Sequence, residues 1–252
     1  MWGDIKSVYT SALRAALLFP LLFLIPAVVE FVQHVVELRS GMYDSIAAAK
    51  AAEHDSLRMI FGFAKTIALL VPGYWYVRFM AFADQAKAAR IEHPAFRLWL
   101  VLLAMESGFQ AYALFGPPLG SLLGLTGQAS KWIGPAITAV WSIVGLYLTA
   151  WFVAWPLGNS AIGPLRSLKI MTGSFWRTLG YAIACILPLM AVHYGLGYLA
   201  IALTPRWLDW PILVVDALIV AWLACTMAGS SLVAARHAAR SKGIPLVGVG
   251  GG

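Results

Sequence analysis

Five side chains that can hold or move a charge fall inside long apolar runs: Glu30, Lys65, Glu106, His193 and Asp216. A charge at the centre of a membrane-spanning helix costs about 2.5–3.5 kcal/mol on insertion scales, so such groups pair with one another or mark a functional site. Lys65 has two acidic candidates for a partner, Glu30 and Glu106. Asp216 and His193 are a carboxylate and an imidazole, types that pass protons near neutral pH. Two accounts fit these residues. In one they line a polar pathway or substrate pocket, with Asp216 and His193 as proton carriers. In the other they make a structural ion pair, and the rest reach back to the membrane surface along their own stems.

Both accounts presuppose a membrane. Of 252 residues, 61% are hydrophobic and 12% charged. A soluble domain usually carries about 25% charged residues. A span needs about 20 mostly apolar residues. Six stretches qualify: about 12–36, 58–82, 96–116, 135–157, 175–203 and 211–235. The expected fold is therefore all-α, a polytopic membrane protein of six transmembrane helices arranged as three hairpins. Residues 1–242 form a single integral membrane domain, and 243–252 a flexible C-terminal tail. The first span is read as uncleaved, because no small-x-small site follows Ala27. Counting in from the span ends at about 1.5 Å per residue puts Glu30, Lys65 and Asp216 in the outer third. His193 and Glu106 count deeper.

The basic residues set the direction. Lys6, Arg14, Arg78, Lys87, Arg90, Arg97, Arg166, Lys169, Arg177, Arg236, Arg240 and Lys242 fall on the side of the N-terminus. Arg39, Lys50, Arg58, Lys131 and Arg206 fall on the other. Twelve against five places both termini in the cytoplasm, with the chain multi-pass in its membrane. The net charge of +7 then needs no nucleic acid.

The connections on the basic side read as amphipathic. Asp84, Lys87 and Arg90 recur at three-residue spacing. Leu165, Leu168 and Met171 form a greasy stripe beside Arg166 and Lys169. A helix of this kind lies in the headgroup layer with its cations near anionic lipid. Arg14, Arg78, Lys87, Arg90, Arg97, Arg166, Lys169, Trp176 and Arg177 are the candidate headgroup and interface residues. Ala12-Leu13-Arg14, Ala95-Phe96-Arg97 and Phe175-Trp176-Arg177 open the odd-numbered spans alike. That echo fits an old triplication or the shared rules of membrane interfaces. Between the third and fourth spans, Pro117 and Pro118 break the helix. A turn or partial re-entry at 116–135 is expected, and Gly116, Gly120 and Gly124 allow close packing there.

The segment Leu165-Arg-Ser-Leu-Lys-Ile-Met-Thr-Gly-Ser-Phe-Trp-Arg-Thr-Leu-Gly180 resembles one found in six-span bacterial membrane proteins related to the membrane domain of glycerophosphoryl diester phosphodiesterases. The resemblance covers about 165–180. It implies an all-helical polytopic domain. It implies no phosphodiesterase chemistry, which belongs to a separate soluble barrel, and it supplies no catalytic residues.

Other chemistry lacks its signatures. There is no phosphate-binding glycine loop, dinucleotide fingerprint or nucleophile elbow. Cys185 and Cys225 sit in apolar runs and act as small hydrophobes. His34, Glu37, Asp44, Glu53, His54 and Asp55 match no zinc spacing and read as a solvated acidic loop. His34 and His193 fall on different spans and count to different depths. No catalytic residues, cofactor or metal are expected. The partners are membrane lipids and, in one reading, other membrane proteins. What is left is a non-enzymatic protein that handles or transports a lipid or small amphiphile, or a structural subunit of a membrane complex.

Overall fold

The computed structural model describes residues 1–52, 55–202 and 205–248. They form α1 (Trp2–Leu18), α2 (Pro20–Arg39), α3 (Ile46–Ala51), α4 (Ser56–Leu70), α5 (Gly73–Phe82) and α6 (Gln85–Ala89). There follow α7 (His93–Phe115), α8 (Leu119–Leu122), α9 (Gly127–Ala154), α10 (Pro164–Met171), α11 (Phe175–Ala202) and α12 (Asp209–Arg240). The fold is all-α, with no strand among the described residues. Six helical stretches are long and apolar enough to cross a membrane: α2, α4 with α5, α7, α9, α11 and α12. The chain is a multi-pass membrane protein.

The first span differs from its expected 12–36. It runs from Pro20 to Arg39, and Trp2–Leu18 is a helix of its own. The cause is local. Phe19 precedes a proline, which disfavours the helical region, and it sits at φ −125° and ψ 58°. Pro20 then opens α2, where its missing N–H costs nothing. Arg14 therefore lies inside α1 and opens no span. Arg97 and Arg177 do sit in the first turns of α7 and α11.

The described chain divides into two compact units. The first comprises Met1–Ile91 and Gly180–Val233. Within it, α2 packs on α4, and Ala200 of α11 meets Leu213 of α12. The amphipathic α1 buries Ile5, Val8, Ala12 and Ala15. Ala12 and Ala15 share a core with Tyr76 and Phe79 of α5 and Ala224 and Cys225 of α12. The Tyr9 hydroxyl donates to the Ala184 carbonyl at 3.1 Å, and the Tyr181 hydroxyl to Asp4 at 2.6 Å. Of the six spans α12 is the most buried, with 61% of its most apolar window inside the protein against 11% for α7. A helix that is apolar on all sides and enclosed on most of them is the core element of such a bundle.

The second unit comprises Glu92–Leu179 and Ala234–Gly252. Leu102 of α7 packs on Leu148 and Trp151 of α9, and Phe109 stacks on Trp141 at 4.7 Å. The proline pair is followed by the single turn α8, and α9 begins at Gly127 rather than 135. Gly120 lies so close to Ser130 that a Cβ would stand 2.3 Å from its Oγ. On α10 the Ser167 hydroxyl accepts from Trp151 N–H at 3.0 Å and donates to the Tyr147 carbonyl at 2.8 Å. One buried hydroxyl thus clamps the connector to a turn of α9.

Two expectations change here. The buried face of α10 is Ser167, Ile170 and Met171, while Leu165 and Leu168 are exposed. The stripe therefore splits, with Met171 in the protein and both leucines outside it. The tail is also not free through Gly248. Asn159 Nδ2 donates to Pro245 O at 3.0 Å, Gly248 N to Leu157 O at 3.2 Å, and Leu246 is buried. The turn after α9 holds it with one side-chain donor, Asn159 Nδ2, and one backbone acceptor, the Leu157 carbonyl. Residues 249–252 lie outside the described residues.

Gly229 of α12 has Val8 Cγ1 at 2.8 Å and Met80 Sδ at 3.0 Å from where a Cβ would stand. Valine is stiff and cannot turn aside. Gly229→Leu is expected to destabilise the protein by about 1–3 kcal/mol through overpacking. A lowered melting temperature of the detergent-solubilised protein checks this.

Candidate functional site

The polar residues of the first unit converge where α2, α4, α11 and α12 approach the 40–55 connection. Glu30, Gln33, His34 and Glu37 lie on α2 at i, i+3, i+4 and i+7, so one helical face presents all four. All four are buried. Asp216 of α12 is fully buried opposite them. It accepts hydrogen bonds from two imidazoles. His34 Nε2 stands 2.9 Å from its Oδ2, and His193 Nδ1 stands 2.8 Å from its Oδ1.

Two cations close the cluster. Lys65 Nζ straddles the Glu30 carboxylate, 2.9 Å from Oε1 and 2.8 Å from Oε2. Arg58 Nε donates to Glu37 Oε1 at 3.3 Å. Gln33 Nε2 donates to the same oxygen at 2.9 Å, while its own Oε1 is buried with no hydrogen-bond partner among the described residues. Tyr43, just past α2, brings its hydroxyl to 3.0 Å from His34 Nδ1 and 3.3 Å from Glu37 Oε2. Burial, then the Glu37 and Asp216 carboxylates, push its ionisation far above the ordinary phenol range, so it remains a neutral donor.

Three carboxylates, Glu30, Glu37 and Asp216, thus face two bound cations, Lys65 and Arg58. With both histidines neutral the buried cluster carries one excess negative charge. A cavity of about 550 Å³ opens on it. Its lining also includes Met42, Ile46, Tyr194, Tyr198 and Ile201, together with the exposed Lys50. Donor atoms of Glu30, His193 and Asp216 all lie within 4.8 Å of one another, close enough to share an ion.

Four of the five expected intramembrane groups meet here: Glu30, Lys65, His193 and Asp216. Glu106 does not. It lies half-buried on α7 in the second unit and makes no ion pair among the described residues. The depth count for His193 is corrected. It bonds the same carboxylate as His34, so the two histidines share a level. The count failed because α12 begins at Asp209, which sinks Asp216 deeper, and α2 continues to Arg39, which draws His34 and Glu37 into the span. Both of these residues had been grouped with the acidic loop. A helical wheel drawn through Glu37 would have found them. Glu53 and His54 of that loop lie outside the described residues.

The interface candidates divide. Arg14, Arg90, Arg97, Arg166, Lys169, Trp176 and Arg177 are exposed. Lys87 is half-buried, its Nζ 4.3 Å from the Phe82 ring centroid. Arg78 is corrected: it is fully buried, between the rings of Tyr74 and Phe82, and donates to the Lys87 carbonyl at 3.2 Å. Its two aromatic faces and that carbonyl replace water around the guanidinium. It ties α5 to α6 and faces no headgroup. Arg166 donates to the Ala161 carbonyl at 3.3 Å, and Arg177 contacts His237.

The fold and the site define a multi-pass helical membrane protein with a charged cavity set among its spans. Compared with known proteins, the chain matches no family model, no curated protein and no solved structure.

Removing one partner of a buried ion pair costs about 3–5 kcal/mol, whereas replacing both by apolar groups is often neutral. Lys65→Met alone is therefore expected to lower stability toward the small end of that range, since Lys65 is partly exposed. Lys65→Met with Glu30→Leu should recover most of the loss. Thermal unfolding of the single and double variants in detergent checks the cycle.

Proposed function

We propose that this chain is a non-enzymatic protein of a bacterial inner membrane that takes a small amphiphile with a polar head into the cavity at Asp216. The observation that carries this reading is the composition of the cavity lining. It includes apolar and aromatic Ile46, Tyr194, Tyr198 and Ile201. It also includes the charged cluster of Glu30, Glu37, Asp216, Arg58 and Lys65, with Lys50. A pocket with an apolar body and a few convergent charges holds an amphiphile, the apolar part by area and the head by direction. The volume suits a molecule of modest size, since ligand pockets run from about 300 to 1,000 Å³.

The basic residues support an orientation with both termini cytoplasmic and the cavity opening outward. Exposed Leu165, Leu168 and Trp176 beside Arg166, Lys169 and Arg177 support lipid contact at the opposite surface. The likeness of 165–180 to the six-span phosphodiesterase-associated group belongs to the same proposal and concerns this surface, not the cavity.

Gly197 lines the cavity, and open space lies where its Cβ would stand. Gly197→Trp should fill the pocket without disturbing the fold. Wild-type protein purified in mild detergent is expected to carry an amphiphile, identified by mass spectrometry, at near-stoichiometric amounts. Gly197→Trp should lose it. Gly195→Trp, on the same helix but outside the cavity wall, should keep it. Equal retention by all three proteins would count against the reading.

A further inference from the structure

We propose that the cavity holds a binding site for a divalent transition metal, with His193 Nδ1, Asp216 and Glu30 as its ligands. The proposal stands whatever else the cavity takes.

The donor types come first. One imidazole nitrogen and two carboxylates form a set suited to zinc or manganese. Calcium and magnesium take oxygen ligands, so the imidazole argues against them. One ligand atom from each of Glu30, His193 and Asp216 lies within 4.8 Å of the others. His193 Nδ1 lies 2.8 and 2.9 Å from the two oxygens of Asp216, and an ion would take the place of the proton between them.

A second observation concerns the groups around the ligands. Metal-binding carboxylates are themselves held by outer-shell hydrogen bonds. His34 supplies them: its Nε2 lies 2.9 Å from Asp216 Oδ2 and 3.4 Å from Glu30 Oε1, and Glu37 Oε2 lies 3.3 Å from its Nδ1. One imidazole thus steadies both carboxylates beside His193. Gln33 Oε1 is a further buried acceptor at the cavity, with no hydrogen-bond partner among the described residues. Lys65 neutralises Glu30 but touches neither Asp216 nor the histidines at ion-pair distance.

The test is direct uptake by the full-length protein in detergent or nanodiscs, stripped with a chelator and titrated with Co²⁺. One Co²⁺ per chain is expected, with the intense visible bands of a low-coordinate site, displaced by Zn²⁺. His193→Ala and Asp216→Asn should abolish the bands. His34→Gln should weaken affinity about 10–100-fold with stoichiometry kept, as loss of an outer-shell partner does. His237→Ala, in the other unit, should change nothing. Wild-type protein that binds no Co²⁺ overturns the proposal. Uptake unaffected by His193→Ala overturns it too. If that variant does not fold, the affinity shift in His34→Gln decides, because His34 touches two of the ligands and not the ion. Loss of amphiphile with metal retained would sink only the amphiphile reading.

Discussion

The fully buried carboxylate of Asp216 is the constraint on which the rest of the first unit depends. An ionised group out of contact with water must be surrounded by donors or it will not remain ionised. Here two imidazoles supply them, from α2 and from α11. Three helices are joined through one side chain, and the joint sits on α12, the most buried span. Everything polar nearby follows from that commitment. His34 needs its second nitrogen oriented, and Glu37 with Tyr43 does so. Glu37 in turn needs cancelling, and Arg58 and Gln33 do that. The polar cluster grows outward in shells until it reaches the cavity.

Such a cluster is costly to build in an apolar setting. Paired buried charges are seldom better for stability than hydrophobic residues of the same volume. A protein with 61% hydrophobic residues had many apolar options for these positions. That nine polar side chains gather at one cavity, and that one carboxamide oxygen has no partner among the described residues, argues for use rather than for stability. The second unit offers a contrast. Ser167 on α9 and Lys242 on the carbonyls at the end of α10 are clamps onto backbone. Those settle segments of helix rather than a buried carboxylate.

Much of this was legible in the residues. The long apolar runs foretold six spans, because burying a backbone in lipid leaves no choice but helix. The ionisable residues inside those runs named four members of the cluster. The misses share a physical cause. Hydropathy marks where a span is greasy, not where its helix ends. The helix α2 runs on through Gln33, His34 and Glu37 because Gln33 Nε2, both ring nitrogens of His34 and the Glu37 carboxylate find partners inside the protein. The break at Phe19 comes from Pro20, a rule of sterics that hydropathy does not see. Arg78 looked like an interfacial cation because its type is common there. Only the packing of Tyr74, Phe82 and the Lys87 carbonyl shows that it is enclosed. The tail after Gly243 carries no pattern of its own and is held by one donor and one acceptor that another segment supplies.

The sharing of Asp216 by two histidines is the central claim, and ring nitrogens report on it directly. The protein has five histidines. With ¹⁵N-labelled histidine, two ring systems should shift when Asp216 is changed to Asn, and those two signals should be the ones absent from His34→Gln and His193→Gln. If at most one histidine responds to Asp216→Asn, the carboxylate is not shared and the joint between α2, α11 and α12 does not exist.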